Sequence, residues 1–538
     1  MNNLTRRNFI GAAGVSAAAA SLAACGVSSS NPSSPNSSSS TGTEGGGTIS
    51  AGTAYSTQNY DPSSTSSALA CGVNWQVCEG LYGIDFHDYS TFNELATGDP
   101  QQIDDTHFEV TLRDGAQFSD GNPITPEDVV ESFNRASGKA ADWEGNIYTS
   151  MLSPFESIEK KGDKTVTITT TIPNFSLVKE RLAIIRVVPA SSTKQEMTSK
   201  PIGSGPWMYD TISDNSLELV PNPNYNGDHP AKDNKIHYDV LKDATARLTA
   251  EQEGSTIVME MVTADAVDTL QGLNATIDKV QGFGTRFLMF DVAKAPWNDK
   301  RARQAVMYSL DYDAMINNAF AGLACAPTSY LPENFPNYHR ASTVYTHDED
   351  KAKQLIQEAG ITPGDIELRT TDNEQVVAMA TQVKENLDTL GFNTTIKTDT
   401  SAATYAAIDQ GDNSYDLLLA PGDPSCFGAD PDLLMNWWFG DNLWMKTRCP
   451  WEGSDEWKQL NQLMQQALGQ SGSEQQNTWN QCFDILADNV VLYPVLQVQT
   501  VTASWQDPTQ APNGVGIKNF SGIGTTGLYF LDSTTVSA

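Results

Sequence analysis

The chain predicts a mixed α/β fold, and three observations carry that expectation. Between Asp348 and Thr398 helical and strand patterns alternate. A helix from Asp348 to Ala359 opens on acids and stops at Gly360, Asp365 to Thr370 reads as a strand, Glu374 to Leu390 as a helix stopped by Gly391, and Phe392 to Thr398 as another strand. This order lays strands side by side with helices on the sheet faces. Tyr415 to Ala420, YDLLLA, is a short apolar run suited to a buried strand. A length of 538 residues, 39% of them hydrophobic, allows several such units and a sizeable core.

Charge narrows the partners. Aspartate and glutamate number 66 against 33 lysines and arginines, a net charge of -33, and such a surface repels phosphate backbones and anionic lipid alike. No nucleic-acid partner is expected. Residues 1–24 read as an export leader: Thr5-Arg6-Arg7-Asn8-Phe9-Ile10 fits the twin-arginine pattern, and Gly11 to Ala24 is an Ala-rich apolar stretch too short to span a bilayer comfortably. Leu22-Ala23-Ala24-Cys25 resembles a bacterial lipobox, in which Cys25 carries the lipid. The Ser, Gly, Asn and Pro tract that follows completes a flexible tether over 25–47. Seven cysteines less Cys25 leave six, an even number that favours disulfides in an oxidising compartment. Cys71 with Cys78 and Cys426 with Cys449 are plausible local pairs, leaving Cys325 and Cys482 for each other or free. Six histidines, none spaced with these cysteines as ligands, give no metal site.

Taken in order, Thr48 to Tyr55 reads as a first strand. Phe108, Val110 and Leu112 alternate with polar residues as a half-buried strand does; Asp114-Gly115 turns the chain, and Ala116 to Phe118 fits a returning partner. Thr125-Pro126-Glu127-Asp128 opens a helix, with Thr125 as cap, Pro126 at its first position and acids facing the positive end of its dipole. Ser157 to Ile172 suggests paired strands. Gly203 and Gly205, in Pro201 to Trp207, suggest backbone angles that a side chain resists. Lys235 to Leu241 reads as a strand, Asp243 to Gly254 as a helix, and Pro296 to Leu310 opens another. A Gln-rich helix to about Gly469, a helix from Ser473 to Ala487 and a strand from Val490 to Val498 close the series.

Several of these stretches resemble one family in its own order. The run Leu112 to Ser132 is similar to the "LR-x-G-x-x-F-(S/H)-D-G-x-P-(L/I)-T-x-(E/D)-D-V-x-x-S" segment of the family 5 extracellular solute-binding proteins, the receptors of peptide-type ABC importers. Asn59-Tyr60-Asp61-Pro62, Val73 to Tyr82 ending in Cys78-Glu79-Gly80-Leu81, Pro201-Ile202-Gly203-Ser204-Gly205-Pro206-Trp207, Pro221 to Gly227 and Pro296 to Ala305 resemble further family motifs. Cys78, Asn226 and Trp297 stand where another residue is usual. The resemblance implies a two-lobed fold of the periplasmic-binding-protein type II class with an extra subdomain on the first lobe. It divides the chain into 48–92, 204–292 and 488–538 for the first lobe, 93–203 for the inserted subdomain and 293–487 for the second lobe. The connections near Asp291 to Pro296 and near Ala487 to Pro494 are expected to act as its hinge.

The resemblance also implies a function. In peptide-binding members an aspartate after the strand matching YDLLLA pairs with the peptide's amino terminus, a charge-assisted bond that fixes the ligand's register. Asp423 is the nearest match. The loop is longer than usual before Asp430-Pro431-Asp432, which makes Asp430 the second candidate, with turn and capping roles as the alternative for both. Trp437 and Trp438 are candidates for an aromatic wall, with plain burial as the alternative, and Trp297 and Tyr55 are weaker ones. Glu79 is expected at the surface or facing the cleft. The chain is therefore expected to be a monomeric, lipid-anchored, extracytoplasmic receptor that hands peptides to a membrane permease, without cofactor or catalysis. Alternatives are an oligosaccharide or metal complex on the same fold, a secreted hydrolase, and a surface adhesion protein. No His-Glu-x-x-His, Gly-x-Ser-x-Gly or Walker sequence occurs, and Gly522 to Gly527 fits a dinucleotide fingerprint by chance, with no helix expected after it.

Overall fold

The order of the largest sheet sets the architecture. The computed structural model describes residues 46–141, 143, 148–520, 528 and 535–537; the leader, Cys25, the tether as far as residue 45 and Gly522 to Gly527 lie outside them. Eleven strands form one mixed sheet. Two long strands, Thr276–Phe290 and Leu492–Ser504, run antiparallel through its middle and belong to both halves. On one side the sheet continues through Val258–Met259, Thr48–Thr53, Lys235–Val240, Ser216–Pro221 and Trp207–Ile212. On the other, Thr285 to Phe290 pairs with Leu417–Gly422, and parallel Asp365–Thr371 and Asn393–Asp399 follow.

Local rules account for most element boundaries. The helix Pro126–Ala136 starts with Pro126 at its first position, and Thr125 and Asp128 exchange the reciprocal bonds of a capping box. Asp243, Asp299, Asp348 and Asn373 each cap a helix that follows them. Gly360 and Gly391, at φ +67° and +93°, take the left-handed turn that stops two of these helices. The alternating helices and strands between 348 and 399 appear as expected, so the α/β reading holds.

Other expectations give way to longer-range pairing. His107–Thr111 pairs not with Ala116 to Phe118 but with Thr165–Thr170, inside a separate four-stranded sheet completed by Gln101–Gln102 and Phe155–Lys160. After Asp114-Gly115 the chain instead closes small loops on itself, Phe118 N–H donating to Asn122 O at 2.9 Å and Ile124 N–H to Ala116 O at 3.0 Å. Gly203 and Gly205 are not left-handed; a Cβ would meet Val77 O at 2.0 Å and Gln76 O at 2.3 Å. Close approach to the end of the helix Ala68–Val77, rather than backbone angle, demands glycine there.

The connections near Asp291 to Pro296 and near Ala487 to Pro494 make close local bonds. Asp291 N–H bonds Asp416 O, Lys294 Nζ bonds Tyr415 O at 2.7 Å, and Tyr345 donates its hydroxyl to Ala487 O at 2.8 Å. These bonds tie both stretches to neighbours in the second half. The long strands shift register between Gln281 and Thr285, at Gly282-Phe283-Gly284, where a local irregularity lets paired strands bend.

Cysteines separate by element. Cys71, Cys78, Cys325, Cys426, Cys449 and Cys482 are free thiols, so neither expected local pair forms. Cys78 caps the end of the helix that holds Cys71, and Cys449 points its thiol at Val491 O, 3.5 Å away.

Candidate functional site

Asp423 stands at the carboxyl end of Leu417–Gly422, where open α/β sheets place ligands. Its Oδ1 accepts from Ser425 N at 3.0 Å and Ser425 Oγ at 2.6 Å, capping the short turn Pro424–Phe427. Its Oδ2 accepts no hydrogen bond among the described residues and lies 3.4 Å from where a Gly284 Cβ would be, at the crossing of the long strands. Burial raises the Asp423 pKa to about 6, against the lowering pull of Ser425 and Arg286.

Three other charged or phenolic groups share this neighbourhood. Arg286, on Thr276–Phe290, is 6% exposed; it donates to Thr285 O at 3.0 Å and to Gln375 Oε1, and no carboxylate lies within ion-pair distance among the described residues. Its Nε has no partner among the described residues, and burial lowers its pKa to about 10, while Tyr55 and Asp423 pull it back up. Tyr55 follows the first strand and is 37% exposed; desolvation by its neighbours raises its phenol to about 12, and Glu260 and Asp423 add to it. Glu260 is buried, accepts from Ala54 N at 2.7 Å and from Thr53 Oγ1, and burial raises its pKa. Tyr55 and Glu260 come from the first half, Asp423 and Gln375 from the second, and Arg286 from the strand between.

The remaining sequence candidates occupy different places. Asp430 caps Pro431–Phe439, accepting from Leu433 N at 2.9 Å, and gives both oxygens to Arg181 at 2.5 and 2.8 Å. That pairing corrects the expectation of an amine contact. Trp438 is buried, stacked 6.0 Å from Phe283 and edge-on to Phe287 and Tyr330. A Cβ on Gly422 would lie 2.4 Å from its Cζ2, so this indole is the floor beneath the Asp423 strand and not a wall. Trp297 is fully buried between Phe290 and Phe392, its Nε1 donating to Asp416 Oδ1 at 3.3 Å; it belongs to the core. Trp437 is only partly buried, lies 5.8 Å from the Phe427 ring, and lines a cavity of about 660 Å³ with Ser66, Asn442, Trp444, Arg448 and Gln465. Ser66 comes from the first half and the others from the second.

Glu79 is neither surface nor cleft. It is buried and holds Arg113 through two bonds of 2.8 Å, beside a separate cavity walled by Trp75, Phe92 and Tyr225. Sequence reading missed Arg286, Glu260 and Gln375. Arg286 left one signal, a lone charge in the otherwise apolar run Phe287 to Phe290 and its approach. Among the described residues no three His, Cys, Asp or Glu gather as a metal site.

Two sheet halves joined by two long strands, with Tyr55 and Glu260 of one and Asp423 of the other drawn together around Arg286, give the chain a two-lobed architecture. The chain belongs to the bacterial extracellular solute-binding proteins, family 5, whose middle-region model matches residues 92–445. It is 26% identical over 360 residues to the probable D,D-dipeptide-binding periplasmic protein DdpA of Escherichia coli K12, spanning 64% of this chain and 67% of that one. Its fold is similar to the periplasmic binding protein DppA of Helicobacter pylori in complex with the peptide STSA, at a TM-score of 0.78 and 18% identity, covering 92% of this chain and 99% of that one. It is also similar to AgaA of Agrobacterium tumefaciens R10 in complex with agropinic acid, at a TM-score of 0.76 and 21% identity, over 89% and 96%. The two-lobed type II architecture expected from the sequence is the one these structures share.

Proposed function

We propose that this chain is the extracytoplasmic receptor of an ABC importer and that its ligand is a peptide held between the lobes. The observation that carries the reading is Asp423: a carboxylate at the end of a buried strand, fixed through Oδ1 and open at Oδ2, placed to receive an ammonium group. Peptide-binding relatives support the ligand class, DdpA and DppA among them. Tyr55 is near enough to Asp423 to feel its charge, Trp437 packs against Phe427 of the same turn, and the polar, tryptophan-lined cavity at Trp437 takes the ligand's side chains. The same cavity supports a second reading, a sugar-like ligand stacked on Trp437 and Trp444. Delivery to a permease, the monomeric state and anchorage through a lipid on Cys25 complete the proposal, with the first lobe formed by 48–92, 204–292 and 488–538, the subdomain by 93–203 and the second lobe by 293–487.

The test is native mass spectrometry of the mature protein, followed by release and identification of the bound molecule. Co-purified peptides that are lost in Asp423→Asn support the reading; a uniform sugar or metal complex overturns the ligand class.

A further inference from the structure

The first lobe and its inserted subdomain grip the turn that carries Asp423 at three successive residues. Tyr89 donates its hydroxyl to Ser425 Oγ at 3.1 Å. Tyr148 sets its ring edge-on to Phe427, centroids 5.1 Å apart, and anchors its own hydroxyl on Thr65 O at 3.0 Å. Between these contacts lies Cys426. Its thiol donates to Asp423 O at 4.0 Å, and the neighbouring Cys71 thiol, on the helix Ala68–Val77 of the first lobe, donates to Thr65 O at 3.8 Å and adds to the cost of ionising Cys426. The two side chains are 5% and 7% exposed, and Cα atoms of that helix and this turn approach within 8 Å. Cys71 and Phe427 also share the wall of a small cavity of about 20 Å³.

We propose that Cys71 and Cys426 form a redox latch, a disulfide between the lobes that holds the Asp423 turn against the first lobe. It holds whether the ligand is a peptide or not. The sulfurs are 355 positions apart in sequence and come from opposite lobes, so they meet only when the lobes touch at this point. No other approach is visible in the spacing, which favours Cys71 with Cys78. Disulfides need Cα atoms within about 7 Å and correctly directed side chains, an approach that separated lobes would not supply.

The chemistry is thiol–disulfide exchange with a low-molecular-weight disulfide. The Cys71 thiolate attacks the reagent, forming a mixed disulfide and expelling one reagent thiolate. The Cys426 thiolate then attacks the Cys71 sulfur and expels the second. Two electrons pass to the reagent, and the two protons lost by the cysteines end on its two thiols. Burial holds the Cys426 thiol far above its ordinary pKa, which slows attack inside the closed contact. Exchange therefore starts while the lobes are apart and finishes as they meet.

The test is incubation of the whole mature protein with oxidised glutathione, followed by non-reducing peptide mapping and amide hydrogen exchange. A linked peptide joining Cys71 to Cys426 is expected, absent from both Cys71→Ser and Cys426→Ser. In the linked protein, exchange at Ala68 to Val77 and Asp423 to Phe427 is expected to slow at least about tenfold and to recover on reduction. Absence of that peptide, linkage of Cys71 to another cysteine, or linkage that leaves exchange unchanged overturns the latch. If Cys71→Ser fails to fold, Cys426→Ser carries the same comparison. Because the readouts involve no ligand, failure of the latch and failure of the peptide assignment are separate results.

Discussion

Arg181 Nη2 lies 2.5 Å from Asp432 Oδ2, and neither side chain has any solvent exposure. Arg181 comes from the short helix Val178–Ala183 of the subdomain side and Asp432 from the first turn of Pro431–Phe439 in the second lobe, so one guanidinium ties the two together. Asp430 shares it. Burial above all, with the neighbouring Asp430 charge adding to it, raises Asp432 to about 6 against the lowering effect of Arg181.

Removing Asp432 altogether is expected to be costly. Asp432→Ala leaves Arg181 with one partner and an unfilled buried site, a loss of about 3 kcal/mol or more. Urea denaturation at neutral pH reads this as a lower midpoint with an unchanged slope.

Asp432→Asn separates charge from contact. The amide oxygen still accepts from Arg181 while the second negative charge disappears. An aspartate whose folded pKa lies above its unfolded value of about 3.9 favours folding when protonated. Its contribution is fully present below about pH 4 and is lost as pH rises through about 6. Stability measured across that window is expected to fall less steeply with pH in Asp432→Asn than in the parent, and an identical slope in both would sink the assignment.

Asp423 should govern ligand affinity through its charge. Asp423→Asn is expected to weaken binding of the co-purified ligand by roughly 10- to 100-fold, the worth of a charge-assisted bond, with the thermal transition retained. In the parent, Asp423 is neutral below about pH 6, so affinity for an ammonium ligand should fall towards tenfold per pH unit beneath that point. Arg286 depresses the Asp423 pKa; Arg286→Met is therefore expected to move the midpoint of this profile upward. Calorimetric titrations over pH read both effects.

Gly422→Ala probes the floor of the crevice. Its new methyl would sit 2.4 Å from Trp438 Cζ2, and that indole is already buried among Phe283, Phe287 and Tyr330. Relief requires the ring or the strand to shift, at about 1 to 3 kcal/mol. Lower thermal stability together with weaker binding is expected; loss of neither would mean that Trp438 does not position the Asp423 turn.

By itself the sequence determined what depends on neighbours along the chain. Caps such as Thr125 with Asp128, stops such as Gly360 and Gly391, the buried run Tyr415 to Ala420 and the family motifs were all legible, because each is written within a few residues of where it acts. Asp423 was legible for the same reason, as the first acid beyond a strand. Tertiary structure decided which distant groups meet. It gave Asp430 to Arg181, sank Trp438 and Trp297 into the core, set Arg286 beside the crevice and brought Cys71 to Cys426. Periodicity fixes which face of an element is buried and leaves open what that face is buried against. Only packing of the two lobes supplies the partner, and with it the desolvation that raises the Asp423 carboxyl.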